Sequence, residues 1–142
     1  MDSAIYRRLA QIWSAIARPV MGAPACLPQP LGERWPELTT VRWRRGGLPP
    51  RIGGWCLGRS TVDGITLWGT VYLAPGAPWE PGLLLHERRH VEQFASSAVF
   101  PFLYLYESLR VGYSQNRFEA DANAWAATRC GQVQHITPSL GA

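Results

Sequence analysis

Hydrophobic and polar positions divide the chain into three stretches. At the N-terminus Ile5, Leu9, Ile12, Trp13 and Ile16 fall on one helical face. Residues 3–17 therefore read as an amphipathic helix, with Ser3 as cap and Pro19 as stop. Residues 19–37 hold five prolines and two glycines and read as an irregular connector. The middle is strand-like. Leu38–Arg44 alternates weakly, G-G-L-P-P interrupts it, and Arg51–Arg59 leads to a Val62-Asp63-Gly64 turn. Ile65–Leu73, rich in β-branched and aromatic residues, is the strongest strand signal in the chain, and the turn makes a hairpin of the last two segments.

From Pro81 the period becomes helical. Proline suits a first helical position, Leu84, Leu85, Val91 and Phe94 supply apolar faces, and Ser96-Ser97 marks a break. A second helix is expected from Pro101 to Val111, ended by Gly112, and a third over Asn116–Thr128, closed by Gly131. The tail to Ala142 reads as loose. The pattern predicts an α+β fold in a single domain over 1–142. Residues 1–37 form its N-terminal helix and Pro-rich connector; residues 38–131 form a core of about three mostly antiparallel strands and three helices.

Composition narrows the function classes. A chain of 142 residues with 46% apolar content supports one packed core and excludes wholesale disorder. Three unpaired cysteines, Cys26, Cys56 and Cys130, argue against a disulfide framework or a thiolate metal site, and a reducing cytoplasm is the expected setting. The net charge of +4 comes entirely from arginine, and residues 1–60 carry nine Arg against Asp2, Glu33 and Glu37. A nucleic-acid or anionic-lipid face is one reading of this; solvated arginines are the plainer one. With no run of five basic residues, and with V-R-W-R-R also reading as a strand, no nucleic-acid partner is expected. Gln11 and Arg18 interrupt any secretory h-region, and no segment approaches the length of a transmembrane helix. Ala98–Tyr106, nine residues without a charge, suits a buried helix or a shallow peripheral membrane contact.

The chemistry concentrates in Leu84-Leu85-His86-Glu87-Arg88-Arg89-His90. Helix positions i and i+4 stand one above the other, so both imidazoles can reach one zinc ion, and Glu87 can take a proton from a zinc-bound water. With three His and seven Glu in the chain, H-E-x-x-H arises by chance about 0.3% of the time, assuming independent positions. Catalytic zinc takes a third protein ligand. His135 lies in the tail and no third histidine follows His90 at the needed spacing, so a downstream carboxylate is expected: Glu107, Glu119 or Asp121, with Glu119 preferred. Asp121, two residues on, faces away from Glu119 and suits a supporting role, orienting a histidine or arginine. Gln93, one turn after His90, reads equally as a hydrogen-bonding support or a surface residue. Tyr113 is a candidate donor to a developing oxyanion, and Tyr104 and Tyr106 are expected to pack.

The strings L-L-L-H-E-R-R-H-V-E-Q-F, V-F-P-F-L-Y-L-Y-E-S-L and Y-S-Q-N-R-F-E-A-D-A resemble a group of small bacterial zincin-like proteins. These are of minimal gluzincin type, metallopeptidases with two histidines and a glutamate on zinc. The resemblance covers residues 52–126 and departs at Arg117, commonly Pro in the group, and at Asp121, commonly Glu. It implies a zincin-like fold with a sheet edge beside the active-site helix, His86, His90 and Glu119 as ligands, and Glu87 as base. A peptide or protein substrate would then pair with the Ile65–Leu73 strand as its carbonyl meets the zinc. The alternative is a zinc-bound but inactive or latent module with a structural or regulatory role.

Overall fold

The structure, a computed structural model, describes residues 8, 11, 12, 15 and 17–136. The expected helix over 3–17 falls largely outside them. Where described, the N-terminal segment is helical and runs through Pro19 to Met21, one turn past the expected stop. A proline this close to a helix end removes a single backbone hydrogen bond, and the helix tolerates it.

Four short strands follow: β1 (Ala23–Pro24), β2 (Arg42–Arg45), β3 (Gly64–Leu67) and β4 (Thr70–Leu73). The helices are α1 (Gln29–Arg34), α2 (Pro49–Cys56), α3 (Pro81–Ser96), α4 (Phe100–Val111) and α5 (Arg117–Ile136), with 3-10 turns at Pro36–Thr40 and Tyr113–Gln115. The sheet order is β1-β2-β4-β3; β2 and β4 run parallel, and both outer pairs are antiparallel. The fold is α+β as expected, with β3 as one edge of the sheet.

Several boundaries differ from the sequence reading, each for a local reason. Ile65–Leu73 is not one strand but the β3–β4 hairpin, turning at Trp68-Gly69 with Leu67 opposite Thr70. Trp68 takes φ 53, a left-handed conformation that favours glycine, so its strand propensity concealed the turn. Arg51–Arg59 is not a strand: α2 begins with Pro49 and Pro50 in its first turn, where proline costs nothing. Its Gly54 lies against the Thr61 backbone, where a Cβ would come within 2.3 Å, so that glycine serves close packing rather than a turn. The 19–37 connector holds β1 and α1. Finally, α5 runs past Gly131 to Ile136, so His135 lies on a helix instead of in a loose tail.

The core lies between the sheet and α3. Trp43, Val71 and Leu73 project from one sheet face toward Leu84 and Leu85 of α3, with Trp35, Leu38 and Val41 closing the side. Leu38, Leu73, Leu84 and Leu85 are fully buried, each worth about 1.5–3 kcal/mol against exposure. On its other side α3 meets α5, where buried Ala122 and Ala126 let the two helices approach closely. Of the V-R-W-R-R arginines, Arg45 donates to the carbonyls of Ala74, Pro75 and Ala77, and Arg44 to those of Met21 and Gly22. Those two cations pin loops to the sheet. Among the described residues no helix is long and apolar enough to cross a membrane.

Candidate metal centre

Two helices build the site. α3 carries His86 and His90 one turn apart, and α5 brings Glu119 against them from its first turn. Asn116, fully buried, sets where α5 begins: its side-chain oxygen accepts the Phe118 N–H at 2.9 Å, while its amide donates to Ser108 at 2.8 Å and to the Tyr104 carbonyl. The register that delivers Glu119 is thereby tied to both α4 and α5.

His86 Nε2 stands 3.3 Å from Glu119 Oε2, and His90 Nε2 stands 3.2 Å from Glu119 Oε1. The two Nε2 atoms are 3.1 Å apart. His90 and Glu119 are buried at 7% and 5% exposure, while His86 is half-buried. One ligand atom from each lies within 4.8 Å of the others, close enough for a single metal ion.

The imidazole tautomers test whether a cation fits. Gln93 is buried, and its amide nitrogen donates to Asp121 Oδ2 at 2.9 Å and to the Phe118 carbonyl at 3.1 Å. Those contacts fix the amide orientation and direct its oxygen to His90 Nδ1, 2.8 Å away. The Nδ1 therefore bears hydrogen, and Nε2 of the neutral ring presents a lone pair. His86 Nδ1 stands 2.9 Å from Asn123 Oδ1, and with that oxygen as its acceptor the ring takes the same tautomer. Two lone pairs and a carboxylate thus converge with no donor among them, the arrangement a cation satisfies.

The electrostatics agree. Burial would lower the His90 pKa, but the hydrogen bond that a protonated Nε2 would donate to Glu119, together with the charges of Glu87 and Glu119, outweighs it and leaves it raised. Burial would likewise lift the Glu119 carboxyl, yet the hydrogen bonds it would accept from His86 and His90 when those rings are protonated hold it well below the usual carboxylate range. The pocket favours positive charge where the ligand atoms meet.

Glu87 projects from the same helix but toward the sheet edge. It is 4% exposed, and its Oε2 accepts the Thr66 hydroxyl of β3 at 2.7 Å. Its other oxygen lies beside Gly64, where an added Cβ would come within 2.8 Å. Gly64 is thus required for room around the carboxylate and not for a turn.

Asp121 faces away from the histidines, as its spacing from Glu119 predicts, and forms a two-point pair with Arg89 at 2.7 and 3.2 Å. That bond, ahead of partial burial, holds the Asp121 carboxyl below its ordinary range. Through Gln93 it steadies His90. Tyr113 is half exposed, and its hydroxyl is pushed above the usual tyrosine range by burial first and then by the Glu119 charge. Glu107 is not at the site; it is buried against Arg110 at 2.9 Å.

Four partners escaped the sequence reading. Tyr104 was expected only to pack, yet its hydroxyl donates to Glu119 Oε1 at 2.5 Å. Asn123, Thr66 and Gly64 carried no motif. Asn123 lies four residues after Glu119 on α5, a spacing that could have flagged it.

No family profile matches the chain, and no curated protein or solved structure is significantly similar to it. The functional reading therefore rests on the site itself.

Proposed function

We propose that this protein is a zinc-dependent peptidase of gluzincin type, with His86, His90 and Glu119 as the metal ligands and Glu87 as the general base. One observation carries the reading. A buried carboxylate follows the first of two histidines that converge with a glutamate from another helix, and one of its oxygens is engaged while the other borders a sheet edge. Two imidazoles and a carboxylate are a donor set that suits zinc in hydrolytic sites. When bound, the ion would supply a Lewis acid that acidifies water and polarises a substrate carbonyl.

The chain's own residues supply the rest. Thr66 occupies Glu87 Oε2, which leaves Oε1 to accept a proton from water and deliver it to the leaving amine. Tyr104 stays protonated, because burial and then the Glu119 charge push its hydroxyl above the usual range, and it holds the Glu119 carboxylate in place. Tyr113, also protonated, is a donor for charge developing on a substrate oxygen. An extended peptide would pair with β3, the edge strand that carries Thr66 and Gly64.

Glu87→Gln tests the reading. It should keep its metal while hydrolysis of an unstructured protein such as casein falls by about 10²–10⁴-fold. Stoichiometric metal with no hydrolysis before or after the substitution would instead favour an inactive, structural module.

A further inference from the structure

Helix α4 is turned inside out. Its acid, Glu107, is buried at 6% exposure, while Phe102, Leu105, Tyr106 and Leu109 stand 73%, 57%, 65% and 80% exposed. With Leu103 at 41%, these side chains cover an arc of about 160° at 100° per residue. Trp68, on its left-handed turn, is a further exposed aromatic, at 66%. Its ring meets Phe94 at 5.8 Å, and Phe94 meets Phe100 at the start of α4 at 4.8 Å.

We infer that this face docks on an anionic lipid surface. The charges around it decide the partner. From Ser97 to Phe118 the charged residues are Glu107, Arg110 and Arg117. Glu107 is buried and paired to Arg110, the Arg110 side chain is 54% exposed, and Arg117 is exposed. Within residues 97–118 the exposed charges are therefore arginines, the complement of anionic headgroups. The breadth of the arc also matters. A second helix or a protein groove covers a narrow seam of positions, whereas a bilayer interface accepts a wide face. Twelve residues make a helix of about 18 Å, short of a span, so α4 lies in the plane of the interface.

The test is vesicle flotation of the full chain in a Glu87→Gln background, using phosphatidylcholine vesicles with and without phosphatidylglycerol. The docking surface predicts salt-sensitive flotation with the anionic vesicles. Phe102→Ser with Leu109→Ser should weaken it at least tenfold. Arg117→Gln should weaken it about fivefold on the anionic vesicles alone. Circular dichroism matching the parent shows that the variants fold, and since both serines replace exposed side chains, a folded variant is expected. Three results would overturn the inference: no flotation with either vesicle, flotation unchanged by the paired serines, or a concentration-dependent dimer that the serines dissolve with no vesicle binding. Flotation reads neither metal nor turnover, so its failure is separable from failure of the peptidase reading.

Discussion

Helices α3 and α4 follow one another in the chain and break the ordinary rule of burial in opposite directions. α3 buries Glu87, His90 and Gln93, and α4 exposes Phe102, Leu105, Tyr106 and Leu109. In α3 each buried polar group has a partner: Thr66 for Glu87, Gln93 for His90, Asp121 and the Phe118 carbonyl for Gln93. Burial of polar groups is tolerable there because the network is complete, and the remaining lone pairs all point to one place. α4 has no counterpart on its outer side among the described residues. One helix turns polar groups inward to a candidate cation site, the other turns apolar groups outward.

Substitutions can break this contrast, beginning with the largest effect. Gly64→Ala would put a Cβ 2.8 Å from Glu87 Oε1 and force the carboxylate to move. Turnover should drop about 100-fold with metal content unchanged, as measured by steady-state hydrolysis beside elemental analysis. Gln93→Leu leaves the His90 Nδ1–H without its acceptor and Asp121 with one donor fewer. Metal affinity measured by chelator competition should fall about 10–100-fold, and stability by about 1–3 kcal/mol in denaturant titration.

Protons and the cation compete for the same lone pairs, which gives a pH signature. The His90 pKa is raised in the folded, metal-free chain. Its protonation therefore adds stability that is complete below the ordinary histidine value and lost as pH rises through the raised one. Metal affinity should change in the opposite sense, weakening as pH falls through that raised value. Melting of the chelated chain and zinc titration across this range would check both. The smallest effect belongs to α4. Leu109→Ser, at a position 80% exposed, should change unfolding free energy by less than about 0.5 kcal/mol. A large loss would mean that this face has a partner within the molecule, and the contrast with α3 would disappear.

How far the sequence carried the argument follows from the range of each interaction. His86 and His90 were legible because helix geometry over four residues places them without reference to the rest of the chain. The ends of α4 were equally local, with Pro101 near its start and Gly112 at φ 83 after its end. Glu119 needed a second helix to be recognised, and the sequence could only rank it above Glu107 and Asp121. Thr66, Tyr104 and Asn123 meet the α3–α5 residues through packing, 21, 15 and 37 positions away from their partners, and no pattern announces contacts of that kind. Trp68-Gly69 and α2 were misread because tertiary packing overrode propensity: a tryptophan at a left-handed turn, and Gly54 in a helix where a neighbouring backbone leaves no room. The apolar run at Ala98–Tyr106 was visible, but which side of α4 it faced was not.

Convergence of the three ligands on one ion is the central claim, and metal content measures it most directly. Elemental analysis of the purified chain beside Glu119→Ala should find one zinc per wild-type chain and loss of stoichiometric zinc in the variant. Zinc retained by the variant, or a wild-type chain that takes up no stoichiometric metal, would contradict the account.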